Sequence, residues 1–247
     1  MRIISLVPSV TETLAAWGID PIACTSFCER PDLPHIGGTK NPDIAAIAAL
    51  APDLLVVDRE ENRKEDYDAL VARGIEVEVL HIASLHEVEP ELDRLAARIG
   101  VTPHADPLPR ALGALWHPSG RAIRAFVPIW RRPLMSIGAP TYGASLLAWC
   151  GLEVAFASRG AYPTIDPDEA ARANVDIVLA PTEPYPWHRR HLDELTAIAP
   201  TQLIDGQDLF WWGARTPAAI ARLGETVIGA LQRCGLLSAS PSSVTQR

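Results

Sequence analysis

Side chains able to bind or react are unevenly spread along this 247-residue chain. Aromatic and guanidinium groups gather in short stretches between apolar runs. Trp130, Arg131 and Arg132 stand in "IWRRP", Tyr142 in "PTYG", and Arg159 and Tyr162 in "ASRGAYP". Tyr185 and Trp187 stand in "EPYPW", and Trp211, Trp212 and Arg215 in "FWWGARTP". Indole and phenol rings offer broad apolar area with one polar handle. Guanidinium forks pair with carboxylates and phosphates. Together they suit a large, flat, partly polar ligand better than loop packing alone. The N-terminal part carries a thinner set: Phe27, Thr39, Lys40, Arg59 and Glu60.

Reaction chemistry has weaker support. Glu60 and Glu61 are a carboxylate pair of the kind used for acid/base work. Arg59 and Arg63 flank them, so a solvated ion cluster is the first reading. With Tyr142 they are the residues an enzymatic reading would use. No nucleophile elbow, phosphate-binding loop or dinucleotide fingerprint follows a strand. His188 and His191 in "HRRH" lack a nearby acidic partner and read as a solvated face, not a metal site. Cys24, Cys28, Cys150 and Cys234 have no CxxC spacing, which argues against a zinc site or a disulfide framework. A Cys24–Cys28 redox pair is the minor alternative. No catalytic and no metal-ligating residue is therefore assigned.

The elements that must position these groups alternate. Apolar runs "RIISLV", "PIACTS", "LLVVD", "EVEVLH", "RAIRAFVPIW", "EVAFA", "IVLAP" and "TQLID" read as strands separated by helical patterns. That is the signature of a parallel α/β protein. Ser9 and Glu12 predict a capping box for the first helix, and Asn41 with Pro42 predicts the start of the second. Pro90 fits a first helical turn better than an interior. The expected organisation is an α/β lobe over 1–84, a linking helical segment over 85–120, a second α/β lobe over 121–237 and a frayed tail over 238–247. No sustained internal repeat is visible. Net charge is −8, which argues against a nucleic-acid partner. The start "MRIISLVPSVTE" lacks the apolar length of a secretory signal, and no lipobox cysteine follows, so a cytoplasmic location is expected. No membrane insertion is expected either.

In order along the chain, "RIISLVPSVTETLAAWG", "TSFCERPDLPHIGGTKNPDIAAIAALAPDLLVVD", "FVPIWRRPLMSIGAPTYGASLLAWCG" and "FWWGARTP" resemble the class III periplasmic binding proteins. These are the helical-backbone metal receptors, and the likeness is greatest to their cobalamin-binding branch. The resemblance covers most of residues 2–230. It implies two Rossmann-like lobes joined by a long backbone helix between Leu85 and about His117, with a ligand cleft between the lobes. Pro90, Pro103, Pro107 and Pro109 imply a broken or shorter version of that helix. No intrinsic cofactor is implied; cobalamin or another metal chelate is the ligand, with heme or an iron siderophore as the alternative. Arg131, Arg159 and Arg215 would suit a chelate's carboxylates. Phe27, Tyr162 and one of Trp211 and Trp212 fall at the family's aromatic contacts. Thr39 and Asp58 stand where the cobalamin binder has tryptophans. An ABC permease is the implied partner, and Lys64 and Gly213 stand where the family has its docking glutamates. The "FWWGARTP" segment is expected to line the second lobe's side of the cleft. One tryptophan should face the ligand, and Arg215 should reach a carboxylate of "REEN".

Overall fold

A computed structural model describes residues 1–102 and 106–237. Pro103 and the tail over 238–247 lie outside the described residues. The chain divides into two compact units, one of residues 1–107 with 211–217, the other of 108–210 with the chain from 218 onward.

The first unit is built on four parallel strands in the order Ala23–Cys24, Ile3–Ser5, Leu54–Asp58, Val77–Leu80. Every residue of the Ile3–Ser5 and Leu54–Asp58 strands is buried, as expected of central parallel strands covered on both faces. The core joins Ile4, Leu6, Ala23, Leu55 and Val57 of the sheet region to Ile47 and Leu70 of two helices. Each such aliphatic side chain contributes about 1.5–3 kcal/mol on burial. The second unit repeats the plan with Glu153–Val154, Arg124–Phe126, Ile177–Pro181 and Thr201–Ile204, again all parallel. Phe126, Phe156, Val178, Ala180, Trp187 and Leu195 form its core. With strands counted along the chain, both sheets have the order second, first, third, fourth. The repeat absent from the sequence is thus present in the topology. Alternating apolar strands and helices dictate that order without requiring the same residues twice.

Three local expectations change. The first helix, Pro8–Ala16, starts before Ser9; Val7 precedes it without a side-chain cap, and Pro8 takes the first position. Ser9 is buried inside the helix, and Glu12 is left for another task. Asn41–Pro42 form no helix start; they pair with Gly37–Gly38 in a small antiparallel hairpin. Asp43 instead caps Ile44–Ala49 by accepting the Ala46 N–H at 2.9 Å.

Pro90 also sits deeper than expected, inside the helix Leu85–Ile99. Ser84 and Glu87 form a capping box there, with Glu87 Oε2 accepting the N–H groups of Ala83 and Ser84 at 2.8 and 2.9 Å. That start and the burial of Leu85, Val88, Leu95 and Ala96 outweigh the helix bond that proline cannot make. Gly100, at φ 74°, ends the helix in the left-handed conformation. In the stretch where a long linking helix was implied, the described helix has 15 residues and belongs to the first unit.

Candidate functional site

In an open α/β sheet the ligand crevice lies beyond the carboxyl ends of the strands, where the strand order reverses. Here that is between the first and third strands of each unit. The loops after Ser5 and Asp58 flank the point in the first unit, and those after Phe126 and Pro181 in the second.

The first unit ties its loops together with polar bonds. Asp58 ends its strand at 1% exposure, and its Oδ1 accepts the N–H groups of Glu60 and Glu61 at 2.8 and 3.1 Å. Asn62 Oδ1 accepts the Asp58 N–H at 2.9 Å. Asn62 Nδ2 donates to the carbonyls of Leu6 and Thr39 at 3.3 and 2.9 Å. Lys40 Nζ donates to the Glu60 carbonyl at 2.6 Å. One side chain, Asn62, thus joins the loop after the first strand, the glycine hairpin and the loop after the third strand. Burial pushes the Asp58 carboxyl up to about 6, against the lowering effect of its two N–H donors. Its Oδ2 is buried without a hydrogen-bond partner.

The structure brings Thr39, Lys40, Arg59 and Glu60 to this loop cluster. Thr39 is buried, while Lys40, Arg59 and Glu60 are exposed. Phe27 is 63% exposed on the Thr25–Cys28 turn. Its ring lies over Gly38, where an added Cβ would come 2.6 Å from Asn41 Oδ1 and 3.0 Å from Phe27 Cε2, so both side chains would have to shift. Cys24 and Cys28 are buried free thiols, and Cys28 Sγ lies 3.2 Å from Thr11 Oγ1 and 3.3 Å from Thr25 Oγ1.

The "FWWGARTP" expectation is corrected. Residues 211–217 pack in the first unit, on the Pro8–Ala16 helix. Gly213 has φ 126°, and a Cβ there would lie 2.1 Å from Thr13 Oγ1. Ala214 donates its N–H to Thr13 Oγ1 at 3.1 Å. Arg215 reaches no carboxylate of "REEN"; its Nε and Nη2 donate to Glu12 at 2.7 and 3.0 Å. The same guanidinium lies 5.0 Å over the Trp211 ring. Trp212 is buried, so it is the core tryptophan of the pair. Trp211 is partly buried beneath Arg215.

The second unit gathers aromatic rings at its switch loops. Trp130 is 45% exposed and meets Tyr185 edge-on, with centroids 5.8 Å apart at 75°. Tyr185 in turn meets Trp187 at 4.8 Å and His191 at 5.8 Å. Trp187 is fully buried and donates its indole N–H to the Pro128 carbonyl at 2.8 Å. It supports the cluster from the core and is not a ligand-facing ring, contrary to expectation. Tyr142 is also buried, at the first turn of the helix Tyr142–Trp149, because that helix is apolar on most of its positions. Arg131 makes a two-pronged pair with Glu194, both contacts at 2.8 Å. Arg159 pairs with Glu169 and lies 5.6 Å over Phe156. Tyr162 remains 46% exposed.

Sequence reasoning did not single out Asn62 or Glu194, and it gave Glu12 a capping role instead of its pairing with Arg215. Asn62 and Glu194 lie in strongly charged runs, where nothing in the local pattern marks the one side chain that makes the tertiary contact. Among the described residues, no group of three or more His, Cys, Asp or Glu is arranged to hold a metal ion.

Two doubly wound α/β units of this kind make the fold of the two-lobed periplasmic binding proteins. No family model matches the chain. The vitamin B12-binding protein of Yersinia pestis (strain Pestoides F) is 24% identical over 194 residues, 72% of this chain and 68% of its own length. The periplasmic heme-binding protein of Roseiflexus sp. RS-1 matches 93% of this chain and 98% of its own, with a TM-score of 0.72 and 18% identity. The periplasmic vitamin B12-binding protein of Vibrio cholerae matches 94% of this chain and 98% of its own, with a TM-score of 0.67 and 18% identity. These likenesses overturn the cytoplasmic expectation, since the proteins that share the fold nearly end to end are periplasmic.

Proposed function

We propose that this chain is the substrate-binding component of an ABC-type uptake system, carrying a metal-chelate tetrapyrrole of the corrinoid or heme type. The observation that carries this reading is the half-exposed Trp130, held edge-on by Tyr185 at the switch point of the second unit. Its relatives of known ligand bind vitamin B12 or heme, both large and flat. Phe27 and Tyr162 add exposed rings for such a ligand. The function is binding, not conversion. The loop around Glu60 and Glu61 uses its backbone to hold Asp58 and Lys40, which leaves a role in fold support instead of proton transfer.

The test is titration of the protein with hydroxocobalamin and with hemin, followed by absorbance and tryptophan fluorescence. Saturable binding of at least one is expected. A ligand at a hundredfold its dissociation constant should also raise the unfolding free energy by about 2.7 kcal/mol. Binding of neither would sink the reading.

A further inference from the structure

The loop after Pro181 in the second unit ends in a basic turn, His188–His191. Arg131 is taken up by Glu194. His188, Arg189 and Arg190, on the turn before the helix Leu192–Thr196, are exposed. Arg189 has no acidic partner among the described residues. Arg190 directs its Nε at His191 Nε2, 3.2 Å away, while the His188 backbone N–H points at His191 Nδ1, 3.3 Å away. A neutral imidazole has one acceptor nitrogen. A neutral ring can therefore accept from only one of these two donors, and a protonated ring from neither. Burial first, then the charges of Arg131 and Arg190, hold His191 below its ordinary range, with Glu194 acting the other way. This occurs on a chain of net charge −8, so the local sign is opposite to that of the whole.

The charged turn and the exposed ring belong to one surface. Tyr185 touches Trp130 on one side and His191 on the other, both at 5.8 Å. A flat ligand on Trp130 would thus bring its periphery towards the His188–Arg190 turn. Acceptors on that periphery would meet donors already assembled, and carboxylates would gain most, since charge-assisted bonds to guanidinium are about twice as strong as neutral ones.

We infer that the ligand is a carboxylate-bearing tetrapyrrole of the heme type, whose acid groups are held by Arg189 and Arg190 while its ring lies on Trp130. This rests on the proposed function and narrows it, since the periphery of a corrinoid is mostly neutral amide.

The experiment compares hemin, hemin dimethyl ester and hydroxocobalamin on the wild type and on the double variant Arg189→Gln/Arg190→Gln. Thermal unfolding checks that the variant folds. Hemin should bind about tenfold or more tighter than its ester. The variant should lose about tenfold for hemin and nothing for the ester. Added salt should weaken hemin binding alone, because exposed charge pairs are screened. Equal binding of acid and ester, or equal loss of both in the variant, overturns the inference. Binding of hydroxocobalamin without hemin overturns it while leaving the proposed function standing. Binding of no tetrapyrrole removes both.

Discussion

The two units share a strand order and differ in what they place at its reversal. The first unit spends its polar groups on itself: Asn62 joins three loops, Asp58 holds two backbone N–H groups, and Lys40 caps a carbonyl. The second unit leaves rings and guanidinium groups turned outward, on a stack that begins at the buried Trp187 and ends at the half-exposed Trp130. One topology thus supplies a position, and the loop residues decide whether it becomes a rigid frame or a contact surface.

The comparison can be broken first at the base of the stack. Trp187→Ala should destabilise the protein by about 3–5 kcal/mol, as expected for a fully buried aromatic. Chemical denaturation measures it. Trp187→Phe keeps most of the apolar volume and loses the bond to the Pro128 carbonyl, so its cost should be about 1–2 kcal/mol. If both variants cost under 1 kcal/mol, Trp187 is not the foundation of the aromatic face.

The matching cut in the first unit is Asn62→Ala. It removes three hydrogen bonds and leaves the Leu6 and Thr39 carbonyls and the Asp58 N–H short of a partner. The expected loss is about 2–3 kcal/mol. Hydrogen exchange should rise in the loops after Ser5 and Asp58 and stay unchanged around Trp130. Equal loosening of both regions would contradict the separation of roles.

A pH series sharpens the same contrast. Asp58 holds its proton up to about pH 6 in the folded chain, against a usual 3.8. Below the unfolded value both states are protonated, and the favourable contribution is complete. As pH rises from about 4 to 6, the unfolded chain releases its proton first, so stability falls; above 6 the loss is complete. The whole change amounts to about 3 kcal/mol. Asp58→Asn keeps an acceptor for the Glu60 and Glu61 N–H groups and should flatten this slope, gaining stability at pH 7. A variant with the wild-type profile would remove Asp58 as its source.

The sequence made the frame legible and the wiring obscure. All eight strands of the two parallel sheets lie within apolar runs that alternate with helical patterns, because burial on both faces demands such runs. Trp130 and Tyr185 stood out in the sequence because large rings beside the apolar runs are conspicuous. Burial of Trp187 did not, since it depends on a tertiary contact with Pro128, 59 residues earlier in the chain. Arg215 was expected to meet "REEN", yet its partner Glu12 lies on the first helix. That pairing depends on Gly213 seating against Thr13, a contact 200 residues apart in the chain. Charged side chains have many nominal partners in sequence, and only the tertiary path selects one. The repeated strand order was hidden for a related reason, as topology follows hydrophobic alternation and tolerates different residues at equivalent places.

The smallest effect on stability should come from the exposed rings, and there the two units can be compared directly. Phe27→Ala should change stability by less than about 0.5 kcal/mol, and Trp130→Ala should cost about 0.5–1.5 kcal/mol through the lost contact with Tyr185. Their effect on ligand should differ. Trp130 rests on Tyr185 and loses little freedom when a flat ligand stacks on it, so its removal should weaken binding about tenfold, near the upper end for an aromatic contact. Phe27 lies over Gly38 without a second ring behind it, and its loss should cost about threefold. Fluorescence titration of both variants measures the ratio. A larger loss at Phe27 than at Trp130 would reverse the assignment, making the first unit the principal contact surface and the second the support.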